Sequence, residues 1–533
     1  MSSRNYDVVI VGAGHSGLCL AALLHRKAPQ LRVCVVESGA RVASAWSTRW
    51  PGLTLFSPAS FSNLLPDFTW QHFAQANPSR DLPTGDALPT AEQVAEYLDA
   101  FKTALIGEHV EFRFNCRVDR LSRADPPPRP VRSAPRATEV KEALEHNASV
   151  PGDASNEPSS AFSTVAVAVA APAPTPVVPL LAGAALHRTF ELVCVEGDAQ
   201  PLVLRARQVA LCTGSFRVPR LPRRLCDALH AAAIPWLHSS DFRGWDVSLA
   251  PLLAARQSAA PAHVVIVGAG ASGTQIALDV ARRRLPVRVF LVGRDPGSLP
   301  RRMFGRDIYA WLWKTGALTM DRESFVGKRA MLASQGHGDM LIGSLQADAT
   351  KAGVQRLAAR VVGFHPQRNA LRLVSPADQL LGDATRDAVV QRALENTVED
   401  GGVIRVDPDQ KLLGNGGWLC ADVVVFATGF ADSPAARYPF VSGMFEDDDP
   451  SGEAWHTHTR GSCQNVPGLY VLGEPWQQRA DSSLLHGCAV DATHLVHCIK
   501  ALQRDIGGGR TGSCRELTKL TSASFEDSED EET

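Results

Sequence analysis

The residues whose types and spacing most directly indicate chemistry in this chain of 533 residues are two glycine triplets with the spacing G-x-G-x-x-G. They are Gly12, Gly14 and Gly17 near the amino terminus, and Gly268, Gly270 and Gly273 in the middle of the chain. Between a strand and a helix, such glycines allow a tight turn, close approach of the backbone to a pyrophosphate, and close packing of the helix on the strand. The amides at the start of the helix then bind the phosphate. The spacing therefore predicts two dinucleotide sites.

The residues that read the ribose differ in charge between the two triplets. Glu37 ends the second strand of the first unit, whereas Arg294 stands at the comparable place in the second unit. A carboxylate there accepts hydrogen bonds from the ribose hydroxyls and repels a 2′-phosphate, while a guanidinium fits that phosphate. These two residues therefore predict two different dinucleotides, and the second dinucleotide is NADPH rather than NADH.

The elements that position both triplets follow the same order. YDVVIV and HVVIV precede the turns, and RVCVVE and VRVFLVG follow the predicted helices. Short apolar runs rich in β-branched residues indicate strands that are buried on both faces of a parallel sheet. The sequence therefore predicts an α/β fold with two Rossmann-like dinucleotide-binding domains.

Composition limits the kind of protein. Hydrophobic residues make up 45% of the chain and the formal net charge is -2, which indicates a globular protein and gives no sign of a nucleic-acid partner. The 11 cysteines form no C-x-x-C pair and no zinc spacing, and Cys19, Cys34, Cys212 and Cys488 fall inside apolar elements. No secretory signal precedes the first strand, so we expect a reducing, cytoplasmic compartment.

Three further motifs extend the pattern beyond the glycine triplets. They are P-T-x-x-x-V-x-x-Y-L from residue 89, T-G-x-x-x-x-P-x-x-P from residue 213, and A-T-G-F at residues 427 to 430. With these motifs the chain resembles the class B flavoprotein monooxygenases, and most closely the plant auxin-forming flavin monooxygenases and their bacterial relatives. The resemblance implies that the first triplet binds FAD and the second binds NADPH. It also implies that the NADPH domain is inserted into a discontinuous FAD domain.

The same resemblance, together with composition, predicts the domain boundaries. The FAD domain comprises residues 1–122, 186–218 and 421–505, and the NADPH domain comprises residues 219–420. Low-complexity sequence predicts an inserted loop at 123–185, an irregular insert at 376–416 and an acidic, disordered tail at 506–533. Residues 161 to 185 carry no charge, but their prolines and weakly apolar alanines argue against a membrane span.

The resemblance also implies which residues contact the cofactors. For FAD these are Gly12, Gly14, His15, Ser16, Gly17, Glu37, Ser38, Trp46, Val118, Thr213, Gly214 and Gly473. For NADPH these are Gly268, Gly270, Ser272, Gly273, Arg294, Arg301, Thr428 and Gly429, with Arg302 as a further candidate for the phosphate. Trp46 is predicted to lie against the flavin, and the alternative is that it fills the seam between the domains. No metal site is predicted.

Two segments depart from the pattern of the family. Leu55 and Phe56 stand where animal-type members carry a Thr-Asn pair that helps to hold the oxygenated flavin. Residues 236 to 243 match only the second half of the signature F-x-G-x-x-x-H-x-x-x-(F/Y)-(K/R), with His238, Phe242 and Arg243 in place. In the family this segment lies along the domain linker, although a solvent-exposed His238 without a role is an alternative. No catalytic acid or base is assigned.

The function that the resemblance implies is an NADPH-dependent monooxygenase. A hydride passes from NADPH to FAD, the reduced flavin captures O2 as a C4a-(hydro)peroxide, and oxygen passes to nitrogen, sulfur or a carbon beside a carbonyl of a small organic substrate. A disulfide reductase of similar architecture needs a redox-active cysteine pair that this sequence lacks. A flavoprotein that only oxidises NADPH, or an interaction protein on a flavoprotein scaffold, remains an alternative. The sequence identifies neither the substrate nor the oligomeric state.

Overall fold

The computed structural model of the protein describes most of the chain. The described residues are 4–123, 189–197, 201–254, 256, 258, 260–334, 341–374, 417–441 and 454–508. The predicted loop at 123–185, the predicted insert at 376–416 and the predicted tail lie almost entirely outside the described residues. Apart from the boundary at residue 420, the predicted domain boundaries stay predictions.

Most of the strands belong to two large sheets, one for each predicted dinucleotide-binding unit. The strands are β1 (Arg4–Val11), β2 (Val33–Val36), β3 (Glu111–Arg113), β4 (Cys116–Arg123), β5 (Phe190–Glu196), β6 (Leu202–Leu211), β7 (Trp236–His238), β8 (Ala262–Val267), β9 (Val287–Val292), β10 (Ser298–Leu299), β11 (Arg302–Met303), β12 (Arg306–Asp307), β13 (Leu341–Ile342), β14 (Gln355–Leu357), β15 (Arg360–His365), β16 (Ala370–Val374), β17 (Gly417–Cys420), β18 (Val423–Phe426), β19 (His458–Thr459), β20 (Ser462–Cys463) and β21 (Leu469–Val471). The residues of β2 are buried throughout: Val33 and Val35 lie in the core around α1, and the alternate residues Cys34 and Val36 lie in a core formed with β4 and β5.

The α-helices of the described residues connect these strands. They are α1 (His15–Lys27), α2 (Ser44–Ser47), α3 (Trp70–Gln75), α4 (Ala91–Leu105), α5 (Arg223–Ala231), α6 (Ala250–Leu253), α7 (Ala271–Arg282), α8 (Ile308–Lys314), α9 (Phe325–Ser334), α10 (Leu345–Lys351), α11 (Pro434–Arg437) and α12 (Cys488–Gly508). The predicted helix from residue 89 is confirmed as α4. It begins at a capping box of Thr90 and Gln93, and it buries Val94, Leu98 and Phe101 on one face.

The first sheet has nine strands and is built around the first glycine triplet. Its central strands run parallel in the order β3-β2-β1-β6-β21, and the antiparallel strands β4 and β5 pair beside the first half of β6. Helix α12 packs against α1 on one face of this sheet. The first sheet therefore contains residues from both ends of the chain.

The second sheet has five parallel strands in the order β14-β9-β8-β18-β7, built around the second triplet. A separate antiparallel sheet, β15-β16-β17, leads into β18 as β4 and β5 lead into β6. Each of the two units therefore contains the same strand–turn–helix–strand motif, followed by antiparallel strands that lead into a further parallel strand. The predicted α/β fold, with one dinucleotide-binding unit inserted into the other, is confirmed.

The return from the second unit to the first differs from the predicted boundary at residue 420. Strand β18 pairs with β8 and β7, so it belongs to the second sheet. The physical reason is that Val423 to Phe426 are fully buried between two apolar strands. The chain leaves the second sheet only after this strand.

Two observations concern the environment of the protein. None of the described helices combines the length and the apolarity that a membrane span requires. Cys19, Cys34, Cys212 and Cys488 are buried free thiols, as their placement in apolar elements predicts.

Candidate functional site

The first glycine turn joins β1 to α1 and has no room for larger residues at two of its positions. Gly12 has a φ of +108°, and an added Cβ would lie 2.5 Å from the carbonyl oxygen of Cys212. A Cβ on Gly17 would lie 2.0 Å from the carbonyl oxygen of Gly12. At Gly14, by contrast, no protein atom lies within 4 Å of an added Cβ. The middle glycine therefore keeps open the space in front of the first amides of α1.

The second turn, between β8 and α7, repeats this arrangement. A Cβ on Gly268 would lie 2.2 Å from the carbonyl oxygen of Ala427, and a Cβ on Gly273 would lie 1.8 Å from that of Gly268. An added Cβ on Gly270 again meets nothing within 4 Å. In both turns the outer glycines serve packing and the middle glycine faces open space. This arrangement fits a bound pyrophosphate in each turn.

The residues that follow the second strand of each unit, where the ribose is predicted to bind, differ in size as well as in charge. Glu37 follows β2, and its Oε2 accepts a hydrogen bond from the amide of Ala13 at 2.8 Å. The residue that follows β9 is Gly293, and an added Cβ there would lie 2.6 Å from the amide nitrogen of Ala269. The structural counterpart of Glu37 is therefore Gly293, and the exposed Arg294 is the counterpart of Ser38. The second turn therefore lacks the carboxylate and has no space for a side chain at that position.

The remaining residues predicted at the first helix turns occupy matching places. Ser16 of α1 is 5% exposed, and an added Cβ on Gly473 would lie 2.3 Å from its Oγ. Gly473 therefore allows the end of β21 to approach the start of α1. Ser272 holds the equivalent place in α7 and is partly buried.

The two domain crossings also correspond and pair with each other. Thr213 and Gly214 follow β6, and Thr428 and Gly429 follow β18. The amide of Arg220 donates to the carbonyl oxygen of Gly429 at 2.9 Å, so the outgoing and returning chains form a short antiparallel contact. Both Gly214 and Gly429 have positive φ and open space at the Cβ position. The T-G motifs therefore end their strands in the same way.

His238 is buried rather than exposed, which excludes the alternative of a solvent-exposed histidine. Its Nδ1 accepts from the amide of Ser240 at 3.1 Å, so the ring proton is on Nε2, which donates to the carbonyl oxygen of Gly429 at 3.1 Å. Burial lowers the pKa of His238, which disfavours the protonated ring. The side chain therefore fixes the returning crossing and is not a free acid or base.

Arg301 and Arg302 contact the first unit. Arg301 donates from Nη1 to the carbonyl oxygen of Phe56 at 2.6 Å, and its Nε lies 2.7 Å from Asp307 Oδ2. Arg302 pairs with Asp86 at 2.7 Å. Both guanidinium groups therefore hold the domain junction.

Trp46 and Val118 are placed on the first unit. Trp46 lies on α2, is partly buried, and packs against the core around α1. Val118 of β4 is 5% exposed and pairs with Cys194 of β5. The tryptophan that fills the domain seam is Trp50, which sequence reasoning missed because it has no glycine motif or periodicity to mark it.

Several buried polar atoms lack a hydrogen-bond partner near Gly473 and the start of α12. They are His15 Nε2, Gln478 Oε1 and His486 Nδ1. Unpaired buried polar groups are costly and uncommon in native proteins. His15 begins α1 directly after the first glycine turn, so a polar ligand bound at that turn would supply its missing partner.

Asp491 gives this region a pH dependence. Burial raises the pKa of its carboxyl to about 6 despite opposing effects of Ser482, Arg460 and Arg479. In the unfolded chain the carboxyl ionises near 3.8, so the folded state bears the full cost of the charge above pH 6 and is relieved of it as the pH falls from about 6 to about 4.

We therefore expect Asp491→Asn to stabilise the cofactor-free protein at pH 8. The free energy of unfolding should rise by about 3 kcal/mol there, and by less than about 1 kcal/mol at pH 4. Urea unfolding at the two pH values measures both quantities. Asp119→Asn removes a carboxylate with an exposed side chain and serves as the control. An equal gain at both pH values for Asp491→Asn would contradict the expectation.

Among the residues that the structure describes, one group has side chains close enough to hold a metal ion. It consists of His456, His458 and Glu474, and sequence reasoning did not single it out. The amide of Gly461 donates to Nδ1 of His458 at 3.2 Å, so Nε2 carries the ring proton and points at Glu474. Arg437 also lies 3.2 Å from Glu474 Oε1.

These contacts describe a buried ion-pair network and not a metal centre. Although burial alone would raise the pKa of Glu474, hydrogen bonds from His456 and His458 hold it far below its ordinary value. A metal ion would have to displace a guanidinium and a ring proton from the same carboxylate. The network holds the chain on either side of β21.

Comparison with known proteins agrees with this geometry. The sequence model of an FAD-NAD(P)-binding family matches residues 9–136, which contain the first glycine turn. An uncharacterized oxidoreductase, CzcO of Bacillus velezensis, is 22% identical over 92% of this chain and 98% of its own length. A CzcO-like oxidoreductase of Geobacillus kaustophilus is 22% identical over the same shares of the two chains.

Solved structures resemble the whole molecule. An ornithine N-hydroxylase, KtzI of Kutzneria sp. 744, has a TM-score of 0.56 at 17% identity, over 94% of this chain and 100% of its own. A flavin-containing monooxygenase from Stenotrophomonas maltophilia has a TM-score of 0.53 at 18% identity, over 93% of this chain and 99% of its own. The cadaverine monooxygenase DfoA of Erwinia amylovora, bound to FAD, has a TM-score of 0.54 at 14% identity, over 95% of both chains. At these identities the likeness establishes the fold.

The comparisons confirm the predicted resemblance to class B flavin monooxygenases. The first unit matches an FAD-NAD(P)-binding family, and the relatives carry the name oxidoreductase, in agreement with the predicted oxidoreductase that uses FAD and NADPH. The individual cofactor-contacting residues remain predictions.

Proposed function

We propose that this chain, which has the two-domain fold of the class B flavin monooxygenases, is an NADPH-dependent monooxygenase. It would take a hydride from NADPH onto FAD and use O2 to oxygenate a small organic substrate at nitrogen, sulfur or a carbon beside a carbonyl. The observation that carries the proposal is the pair of equivalent glycine turns with opposite ribose positions. Glu37 beside the first turn suits the free ribose of FAD, and Gly293 with Arg294 beside the second suits a 2′-phosphate.

The chain's own part in the reaction is binding, orientation and exclusion of water. FAD and NADPH, when bound, supply the redox chemistry. The amides that begin α1 and α7 would hold the two pyrophosphates, and the groups around Gly473 would hold the flavin end of FAD. The contacts of Arg301 and Arg302 with the first unit close the junction between the two sites. The buried free thiols support a reducing, cytoplasmic compartment.

The rival proposal is a flavoprotein that oxidises NADPH without oxygenating a substrate. Leu55 and Phe56 favour it because neither side chain can donate a hydrogen bond to an oxygenated flavin. The carbonyl oxygen of Phe56 is also engaged by Arg301. Oxygen stabilisation would then depend on bound NADP+ and on backbone donors.

Rapid mixing distinguishes the two functions. The holoenzyme is reduced with one equivalent of NADPH, mixed with O2, and followed by flavin absorbance and by a peroxide assay. For a monooxygenase we expect a transient flavin absorbance that precedes the oxidised spectrum, with peroxide released slowly after it. Immediate return of the oxidised spectrum, with stoichiometric peroxide in the same phase, would refute oxygenation and support the rival. Reduction with NADH in place of NADPH is the control for the nucleotide.

A further inference from the structure

Residues 50 to 56, which we call the bridge segment, lie between the two dinucleotide units. Trp50 is 1% exposed and belongs to the apolar core of the second unit, where its ring packs edge-on against Phe242 with centroids 5.5 Å apart. Leu53 packs against the same core, whereas Leu55 packs against the core of the first unit. The bridge segment is therefore part of both cores.

Backbone hydrogen bonds tie the bridge segment to the first unit. The amide of Leu55 donates to the carbonyl oxygen of Pro89, and the amide of Ala91 donates to that of Leu53, both at 2.9 Å. These contacts attach the segment to the start of α4. Two backbone hydrogen bonds therefore attach the segment to the first unit.

One side chain of the second unit holds the backbone at the centre of the segment. Gln275 of α7 accepts a hydrogen bond from the amide of Thr54 at 3.0 Å and donates to the carbonyl oxygen of Thr54 at 3.2 Å. The Gln275 residue is 7% exposed. The bonds therefore form where water competes little, and a change in their geometry costs more than it would at the surface.

Gln275 is also close to the second glycine turn. It lies within the first two turns of the helix that begins after Gly270, whose amides would hold the NADPH pyrophosphate. A helix is stiff over this length. A ligand that pulls the amino terminus of α7 towards itself therefore also moves Gln275. The same helix thus contacts the nucleotide at one place and the bridge segment at another.

We propose that Gln275 is a positioning residue that couples occupancy of the second glycine turn to the placement of the bridge segment. The inference rests on the proposed function, because the segment matters for hydride transfer only if flavin and nicotinamide meet at this junction. Gln275 would act through Thr54 and does not itself contact the reacting atoms. Trp50 in the second core and the Arg301 contact with Phe56 hold the two ends of the segment.

The test compares Gln275→Leu with Gln503→Leu. Leucine at 275 approximately keeps the side-chain volume and removes all the hydrogen bonds to Thr54. Gln503 donates to Asp7 at 3.1 Å, at the opposite end of the first sheet, so its replacement controls for loss of a helix-to-strand hydrogen bond. Hydrogen–deuterium exchange of the Thr54 amide is measured in each holoenzyme with and without NADP+, and flavin reduction is measured at saturating NADPH.

We expect exchange at Thr54 to be slowed by NADP+ in the unsubstituted protein and in Gln503→Leu. In Gln275→Leu, exchange should be about tenfold faster and insensitive to NADP+, as loss of a buried hydrogen bond implies. Flavin reduction should slow by about tenfold in this variant while the dissociation constant of NADP+ stays within about twofold.

The outcomes separate the inference from the function on which it rests. If the unsubstituted holoenzyme is not reduced by NADPH, the proposed function fails. If it is reduced normally but Gln275→Leu keeps NADP+-dependent protection at Thr54, or reduces at an unchanged rate, the coupling role is overturned. A rise in the dissociation constant for NADP+ equal to the loss of rate would also overturn it, because Gln275 would then act only on nucleotide binding.

Discussion

Gly14→Val is expected to leave the fold intact and to weaken FAD binding by about 100-fold, because the new side chain would fill the space that the pyrophosphate needs over the α1 amides. The backbone at Gly14 has a φ of -76°, which any residue adopts, and no protein atom lies within 4 Å of the added Cβ. Flavin absorbance after gel filtration and thermal unfolding of the cofactor-free protein measure the two effects.

Gly17→Ala is the matched contrast for that prediction. Its Cβ would lie 2.0 Å from the carbonyl oxygen of Gly12, so the turn itself must open. We expect a loss of about 3 kcal/mol of stability in the cofactor-free protein. Gly270→Val should repeat the effect of Gly14→Val at the other turn, with FAD retained and NADPH lost. Loss of FAD in Gly270→Val, or its retention in Gly14→Val, would contradict the assignment of the two turns.

Arg294→Ala is expected to raise the KM for NADPH by about 30-fold, in keeping with the loss of a charge-assisted contact worth about 2 kcal/mol. The KM for NADH should change by less than about twofold, because NADH carries no 2′-phosphate for the guanidinium to bind. Flavin reduction with each nucleotide measures both values.

The matched control for Arg294 is Arg288→Ala. Arg288 is exposed on β9, so its loss changes the net charge by the same amount without removing a residue from the end of the strand. A similar rise in KM for both nucleotides in Arg294→Ala, or an equal rise in Arg288→Ala, would remove Arg294 from the phosphate site.

Local patterns predicted the parts of the molecule that are determined locally. The glycine turns, α4 and the buried parallel strands each follow from spacing, capping or apolar periodicity within one stretch of sequence. The equivalence of the two T-G crossings could also be predicted, because each motif directly ends a buried strand.

Those local patterns could not predict contacts between residues that are far apart in the sequence. Trp50 belongs to the core of the second unit, far from it in sequence, and Gln275 binds the backbone of Thr54 in the other unit. Arg301 carries the charge that a phosphate site needs, yet the fold directs it to a carbonyl oxygen across the junction. Such placements depend on how the sheets face each other, which no spacing in the sequence records.

The order of strands in the two sheets has a consequence for how the chain acquires its structure. In the second sheet, the edge strand β7 precedes β8 in sequence, and β18 is the last strand in chain order. Every strand of that sheet is therefore available once β18 has been synthesised. The equivalent edge of the first sheet is β21, which pairs with β6 only after the whole second unit has been synthesised. The unit that begins the chain is therefore the last whose sheet can be completed on the ribosome. Until then β6 lacks its pairing with β21, and the face of α1 that α12 covers stays exposed.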